Sequence, residues 1–396
     1  MAISLALIGV LGLLFHTLTT KAKLPGFLGL IILGILLGPS VFGALDPELL
    51  KVSGEFRKIA LIVILLRAGL GISRDDLNAI GITALLMSVI PGVFEGIAVM
   101  MAAVWIWHWS WIEAGMLGFV LAAVSPAVIV PAMLKLQSEG FGSARRVPTM
   151  ILAAASIDDV VAITIFSGFL GLYHGAGSGI GMSLTMMPVG LVLGVLLGLL
   201  FGWLLAKSFE RWHIRDTKKV LYLVGVAILM TAIEELVSDW IPLASLMGVM
   251  AMGLVLLEMR PQVAKRLSEK FSKVWILAEV LLFVLVGAQV NVNLALTSGI
   301  IGLGLLLLGL LARSAGVLLA TSRARMLRGE RMFSVVAFWP KATVQAAIGA
   351  VPLMAGVPQG EMILAIAVLA ILVSAPLGAV AIEATGRRWL ERQPAD

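Results

Sequence analysis

Cysteine is absent from the 396-residue chain, and charged side chains are scarce. The lack of cysteine excludes disulfides, thiol chemistry and thiolate metal sites. Charged residues make up 13% of the sequence, whereas a soluble domain carries about 25%. Apolar residues make up 60%, and the mean hydropathy is +1.06. This composition predicts an integral membrane protein.

Motifs typical of enzymes and of resident cofactors are also missing from the sequence. There is no nucleotide-binding loop, zinc motif or Ser–His–Asp constellation. The four histidines lie in or near loops without metal-ligand spacing. The isoelectric point of about 9.7 arises from basic residues in short loops, which favours a membrane protein over a nucleic-acid-binding one. The sequence therefore predicts neither an enzyme, nor a cofactor, nor a nucleic-acid partner.

Thirteen apolar segments are close to the ~20 residues that a membrane-spanning helix needs. Their limits are 2–19, 24–43, 57–72, 79–103, 112–133, 147–172, 183–206, 218–238, 241–257, 274–291, 298–320, 332–352 and 361–384. The first segment lacks a basic region before it and a small-residue cleavage site, so it is predicted to be a helix rather than a signal peptide. No segment of soluble-domain size remains.

The distribution of Lys and Arg predicts the orientation. With the N-terminus outside, the loops on the cytoplasmic side hold 23 of the 29 basic residues. Cytoplasmic loops of membrane proteins carry such an excess. The C-terminus is therefore predicted to lie in the cytoplasm.

The chain also repeats itself at one long offset. Two pairs of stretches match: LPGFLGLIILGILLG (24–38) with IPLASLMGVMAMGLVLL (241–257), and IALIVILLRAGLGIS (59–73) with LAEVLLFVLVGAQVN (277–291). Pro126 and Pro340, each in mid-span, match at nearly the same offset. The offset is seven spans, an odd number, so the two halves run in opposite senses, as in the inverted repeats of secondary transporters. Chance similarity between Leu- and Gly-rich segments is the alternative.

Two predicted spans, the fifth and the twelfth, contain a proline in their middle. The motifs are AAVSPAVIVP, with Pro126, and AFWPKATVQAAIG, with Pro340. A mid-span proline breaks the helical hydrogen bonding, and such a break is tolerated in a membrane where it is buried or lines a wet cavity. We expect the two breaks to cross near the bilayer centre, where Ser125 and Thr343 could help to coordinate a cation. A simple proline kink is the alternative for each.

Two adjacent acids, Asp158 and Asp159, interrupt the sixth span in AAASIDDVVAI. Each costs about 2.5–3.5 kcal/mol in a membrane helix, and neighbouring side chains point about 100° apart. One acid can therefore face a cation site while the other faces a partner charge, for which Lys341 is the candidate. Competition between a proton and a monovalent cation for one carboxylate would give antiport. A buried structural ion pair is the alternative.

Further features of the spans predict specific contacts. Glu95 and Arg313 each lie in mid-span, and we expect them to form an ion pair that either braces the structure or acts as a pH-sensitive link. A second feature is a stripe of glycines every four residues in the seventh span, which predicts a flat face for close helix packing, inside the protomer or at a dimer interface. Its members are Gly190, Gly194, Gly198 and Gly202.

The motifs ILLRAGLG, LAAVSPAVIVPAML, VPTMILAAASIDDVVAI and WPKATVQAAIG together resemble the NHA-type sodium/proton antiporters. These form the second branch of the monovalent cation:proton antiporter superfamily, and the resemblance covers residues 24 to 380 or so. It implies thirteen transmembrane helices in two inverted six-helix repeats with crossed broken helices. It also implies a homodimer and elevator-type alternating access.

The resemblance further implies a division of the chain and roles for its residues. It places an ion-transport core at 57–173 and 274–384, and a dimerisation domain at 1–56 and 183–257. Within the core, it implies that Asp159 is the main ion ligand, that Asp158 pairs with Lys341, and that Ser125 and Ser156 lie close to the site.

One departure from the family's pattern bears on stoichiometry. Many bacterial relatives have Thr-Asp-Pro in the broken fifth helix, where this chain has Val124, Ser125 and Pro126. The positions of Glu95 and Arg313 match the animal-like branch better. Electrogenic and electroneutral exchange therefore both remain open.

The predicted function is exchange of Na⁺ or Li⁺ for H⁺, with competition at Asp159 and Asp158, in a bacterial inner membrane. Lipids, a second copy of the chain and the transported cation are the predicted partners. K⁺/H⁺ antiport and a cation channel are the alternatives. An intramembrane aspartic protease is excluded, because it needs its two acids on separate helices.

Overall fold

The computed structural model describes residues 1–22, 24–71, 81–142, 144–174, 180–212, 214–237, 243, 245–297 and 299–392, and these residues form an all-helical structure. Its helices are α1 (Ala2–Lys21), α2 (Gly26–Leu37), α3 (Pro47–Lys51), α4 (Ser53–Gly71), α5 (Ile82–Trp107), α6 (Trp111–Leu121), α7 (Pro126–Ser138), α8 (Val147–His174), α9 (Ile180–Arg211), α10 (Asp216–Val237), α11 (Ser245–Met259), α12 (Pro261–Ala288), α13 (Val292–Thr297), α14 (Gly299–Ala320), α15 (Arg328–Ala337), α16 (Thr343–Ile348), α17 (Val351–Met354) and α18 (Gly360–Trp389).

Many of these helices are suited to a bilayer. Within the described residues, eight helical stretches are long and apolar enough to cross a membrane, and three shorter apolar helices accompany them. The prediction of an all-α protein with multiple spans is confirmed, whereas the number thirteen stays a prediction.

The helices form two compact units, each with its own internal packing. One unit comprises Met1–Val52, Asn78–Phe166 and Phe283–Asp396, and the other comprises Ser53–Leu77 and Ser167–Leu282. The first unit contains all of the predicted ion-binding and ion-pairing residues.

In the second unit, the glycine stripe of α9 packs against α11. A Cβ at Gly198 would collide with the backbone of Gly248, and a Cβ at Gly248 would collide with the carbonyl oxygen of Gly194. A Cβ at Gly202 would lie 2.9 Å from Val255. Small residues allow this close approach of two membrane helices. Gly194, Gly198 and Gly202 thus pack inside the protomer, which is one of the two predicted uses of the stripe.

We expect Gly198→Ala to lower the melting temperature of the purified protein. The new methyl group meets backbone rather than a movable side chain, and overpacking of this kind costs about 1–3 kcal/mol. The matched control is Gly225→Ala in α10, where a Cβ meets nothing within 4 Å and helix propensity alone favours alanine by about 1 kcal/mol. Equal melting temperatures for the two variants in detergent would contradict this packing.

In the first unit, α5 packs closely against α6 on one side and α14 on the other. Gly96 and Gly118 remove the side-chain bulk between α5 and α6, since a Cβ at Gly118 would collide with the carbonyl oxygen of Gly96. Gly316 does the same between α14 and α5, because its Cβ would lie 2.7 Å from the Cα of Pro91. This packing brings the charged residues of α5 and α14 within reach of each other.

The end of α18 is attached to the segment that leads into α8. Arg387 donates to both carboxylate oxygens of Glu139, at 3.0 and 2.9 Å, and thereby holds the pKa of Glu139 below its usual range. Arg145 lies between Glu391 and the buried Glu330, which also accepts a hydrogen bond from the backbone nitrogen of Leu327 at the start of α15. These contacts connect the end of α18 to the segment before α8 and to the start of α15.

Candidate functional site

The first helix break separates α6 from α7. Helix α6 ends at Leu121, and α7 starts at Pro126, which occupies the first helical position, where its missing N–H costs nothing. The backbone nitrogen of Val124 donates to Asp158 Oδ2 at 2.8 Å. The backbone nitrogen of Ser125 donates to the carbonyl oxygen of Pro340 at 2.8 Å. The freed backbone groups of this break are therefore bound by α8 and by the second break.

The second helix break separates α15 from α16. Helix α15 ends at Ala337 and α16 starts at Thr343. The backbone nitrogen of Lys341 donates to Ser374 Oγ of α18 at 3.0 Å. Gln345 reaches back to the first break, where its Nε2 donates to two backbone carbonyls, at 2.8 and 3.1 Å. The two breaks predicted from Pro126 and Pro340 are thus present and bind each other through hydrogen bonds.

Beside the breaks lies a network of four buried charges centred on Arg313. The Arg313 guanidinium donates to Glu95 Oε2 at 2.8 Å, to Asp158 Oδ2 at 2.7 Å and to the carbonyl oxygen of Ala122. Lys341 Nζ donates to Glu95 Oε2 at 2.6 Å. All four charged side chains are at most 1% exposed. The network joins α5, α8 and α14 to both breaks.

This geometry confirms one predicted pair and corrects another. Glu95 and Arg313 form the expected ion pair. The predicted pair of Asp158 with Lys341 is wrong, because among the described residues Asp158 pairs with Arg313 and Lys341 pairs with Glu95. Because α14 packs closely on α5, its Arg313 lies within hydrogen-bonding distance of Asp158 on α8. Gly92 assists, since a Cβ there would lie 3.1 Å from Asp158 Oδ1.

Asp159 has a different environment from its neighbour. The four network charges balance, two acids against two bases, so Asp159 is the fifth charge and has no ion-pair partner among the described residues. The residue is partly exposed, while its Oδ1 atom is buried and no described residue donates a hydrogen bond to it. Native proteins leave few buried polar atoms without a hydrogen bond, and such an atom is usually explained by a bound water, a bound ion or a functional role.

Other orphaned oxygens lie in the two breaks. Ser125 Oγ and Thr343 Oγ1 are buried and have no hydrogen-bond partner within the part of the chain that the structure describes. Ser125 nevertheless occupies the N-cap position of α7, where a serine ordinarily binds the helix's own N–H groups. The side chain of Ser156, a third predicted hydroxyl ligand, lies outside the described part of the chain. Gln345 Oε1 is also orphaned. Gln345 was not predicted as a site residue from the sequence, although it follows Thr343 by two residues in the quoted motif.

The fold and the site define a class of protein: an all-helical, multi-span membrane protein with a buried charge network beside two helix breaks that are hydrogen-bonded to each other. The family model described as "Sodium/hydrogen exchanger, transmembrane" matches residues 3–387. The chain belongs to the sodium/hydrogen exchanger family, which consists of transporters rather than enzymes. The prediction of a multi-pass membrane transporter is thereby confirmed.

Relatives and a solved structure agree with this assignment. Human sodium/hydrogen exchanger 9B2 is 33% identical over 412 residues, covering 98% of this chain and 74% of the relative. Human sodium/hydrogen exchanger 9B1 is 31% identical over 353 residues, covering 86% of this chain and 67% of the relative. The sodium proton antiporter MjNhaP1 from Methanocaldococcus jannaschii, determined at pH 8, has a TM-score of 0.83 at 20% identity, with 97% of each chain covered. At that identity the likeness shows a shared fold.

Proposed function

We propose that this protein exchanges one Na⁺ or Li⁺ for one H⁺ across the membrane, and that Asp159 carries either ion in turn. The observation that carries the proposal is the Asp159 carboxylate, which has no ion-pair partner among the described residues and lies next to a network whose four charges balance. A carboxylate with a buried, orphaned oxygen can gain either a proton or a cation. Because both occupants neutralise the same charge, they compete, and alternating exposure of the site yields antiport.

The neutral oxygens of the two breaks complete the proposed site. A hard cation stripped of water prefers oxygen ligands. Ser125 and Thr343 each hold a buried hydroxyl that has no hydrogen-bond partner in the described ranges. Ser156, three residues before Asp159 on α8, is proposed as a further ligand. Asp158 supports the site from the network side, since its Oδ1 is orphaned while its Oδ2 is occupied by Arg313 and Val124.

The charge count supports electroneutral exchange. The charge of Lys341 is matched by Glu95 at 2.6 Å, and that of Asp158 by Arg313 at 2.7 Å. Releasing a second proton from Lys341 would leave Glu95 with Arg313 alone, and Arg313 is already shared with Asp158. One carboxylate therefore changes its occupant in each cycle, and one proton is exchanged for one sodium ion.

The finer architecture belongs to the same proposal. We infer a member of the NHA-type second branch, with thirteen spans in two inverted repeats, an N-terminus outside and a bacterial inner-membrane location. A core of 57–173 and 274–384 would move as an elevator against a dimerisation domain of 1–56 and 183–257, in a homodimer. The hydrogen bonds between the two helix breaks support this arrangement.

The test is transport in proteoliposomes with a pH-sensitive dye inside. Addition of NaCl or LiCl is expected to release internal protons, and an imposed membrane voltage is expected to leave the initial rate unchanged. Proton release with KCl alone would identify a K⁺/H⁺ antiporter. Sodium-evoked current without proton flux would identify a channel. A rate that follows the voltage would overturn the one-to-one stoichiometry while retaining antiport.

A further inference from the structure

Gln345 connects the two helix breaks through its side chain. It lies in α16, just after the second break, and its side chain is fully buried. Its Nε2 donates to the carbonyl oxygen of Val120 at 3.1 Å and to that of Ala123 at 2.8 Å. The last carbonyls of a helix have no partners within the helix, and α6 ends at Leu121. Gln345 thus supplies donors that the missing next turn of α6 would have supplied.

These two contacts determine which way the amide faces. Backbone carbonyl oxygens accept hydrogen bonds and cannot donate them, so the amide nitrogen must be the atom that faces Val120 and Ala123. Both N–H groups of Gln345 are thereby used. Its Oε1 atom points away from these carbonyls, is buried, and has no hydrogen-bond partner among the residues that the structure describes. A buried acceptor left without a partner is unfavourable unless something else occupies it.

The amide of Gln345 contacts one of the segments that carry the proposed cation ligands and belongs to the other. Ala123 is followed by Val124, whose nitrogen holds Asp158, and by Ser125, whose hydroxyl is orphaned. Gln345 is two residues from Thr343, the other orphaned hydroxyl. The backbone contacts of Gln345 therefore tie its amide to the same two segments that carry the proposed hydroxyl ligands.

We infer that Gln345 is a specificity-determining residue of the exchanger, whose Oε1 serves as a neutral ligand for the transported alkali cation. The inference rests on the proposed function and deepens it. An amide adds a strong oxygen ligand without a second negative charge, so the site keeps the single exchangeable charge of Asp159. The two hydrogen bonds to backbone hold the oxygen in a fixed place, and the number and field strength of fixed oxygen ligands govern the choice among alkali cations.

The alternative is a purely structural role, in which Gln345 braces the first break and its oxygen binds nothing. Ser374 provides the matched control, because it braces the second break in the same way. Its hydroxyl accepts from the backbone nitrogen of Lys341 at 3.0 Å and donates to the carbonyl oxygen of Ala370 at 2.7 Å. Ser374 is buried and fully satisfied, so its removal tests bracing alone.

The experiment compares Gln345→Met, Gln345→Asn and Ser374→Ala with the wild type. Transport in proteoliposomes gives the apparent KM for Li⁺, Na⁺ and K⁺, and the melting temperature in detergent is measured with LiCl, NaCl, KCl or choline chloride. Gln345→Met removes the oxygen, and Gln345→Asn moves it by one methylene while keeping the amide. We expect the KM for Na⁺ to rise about tenfold in Gln345→Met, since each 1.4 kcal/mol of lost binding corresponds to a factor of ten. The order of preference among the three cations should change in both variants.

Cation-induced stabilisation provides a readout that does not depend on transport. A ligand that binds only the folded state raises the melting temperature. Na⁺ and Li⁺ should therefore stabilise the wild type and Ser374→Ala relative to choline, and stabilise the Gln345 variants less. If Gln345→Met does not fold, Gln345→Asn decides the question.

Three outcomes would count against the inference, and they differ in what they overturn. If exchange is intact in the Gln345 variants and both the KM ratios and the cation stabilisation are unchanged, Gln345 has only a structural role. The proposed function is then unaffected. A wild type that shows neither exchange nor cation-specific stabilisation would overturn both. A shift in preference that also occurs in Ser374→Ala would show that bracing, and not the Oε1 atom, sets the selectivity.

Discussion

Asp159→Asn is expected to abolish sodium-dependent proton flux while leaving the protein folded. Asparagine keeps the shape of the side chain but can carry neither a proton nor the charge that binds a cation. Losing a charged partner in a buried site costs about 3–5 kcal/mol, so exchange should fall by about 100-fold or more. Because Asp159 has no ion-pair partner among the described residues and its Oδ1 is unsatisfied, its neutralisation should not lower the melting temperature.

Among the three variants compared, we expect the combination of lost transport and retained stability for Asp159→Asn alone. Asp158→Asn serves as the paired comparison, since its carboxylate is bound by Arg313 and by the backbone of Val124, and its loss should lower the melting temperature as well as the rate. Glu48→Gln serves as the neutral control, because Glu48 and Lys51 form an exposed pair. Dye-monitored exchange and thermal unfolding are measured for all three variants. Sodium-dependent proton flux that persists in Asp159→Asn would remove the central assignment.

The sequence alone predicts the parts of this site that depend on local chemistry. A proline in an apolar span breaks the helix wherever it lies, so both breaks could be placed. A charge in mid-span must find a partner, so Glu95 and Arg313 could be matched. Adjacent acids on a helix must face different surroundings, and Asp158 and Asp159 do.

The parts that were missed depend on tertiary packing. Both Arg313 and Lys341 were available to Asp158, and nothing in their spacing says which base comes closer. Gly316 lets α14 approach α5, and Gly92 leaves room beside α5 for the Asp158 carboxylate. Their effect cannot be read from a chain with 42 glycines. The number of spans, the domain division and the dimer stay predictions.

Glu95→Gln is expected to destabilise the protein by about 3–5 kcal/mol, the cost of removing one partner from a buried ion pair. Glu95 Oε2 accepts from both Arg313 and Lys341, so its neutralisation leaves two buried bases with Asp158 as their remaining acid. The control is again Glu48→Gln, where an exposed pair is worth at most about 1 kcal/mol. Thermal or denaturant unfolding in detergent measures the difference, and equal stabilities for the two variants would contradict the network.

A second substitution separates charge balance from packing. In Glu95→Gln combined with Lys341→Met, the number of buried bases falls back to one, matched by Asp158, so the double variant should be more stable than the sum of the two single losses predicts. Glu95→Gln alone should also raise the KM for Na⁺. The base that has lost its acid is expected to attract the carboxylate of Asp159, which is the acid outside the balanced network, and thereby to compete with Na⁺ for it. Additive stabilities together with an unchanged KM would show that the four charges do not act as one network. The ability of Asp159 to exchange a proton for a cation would then not depend on the charge balance of these four residues.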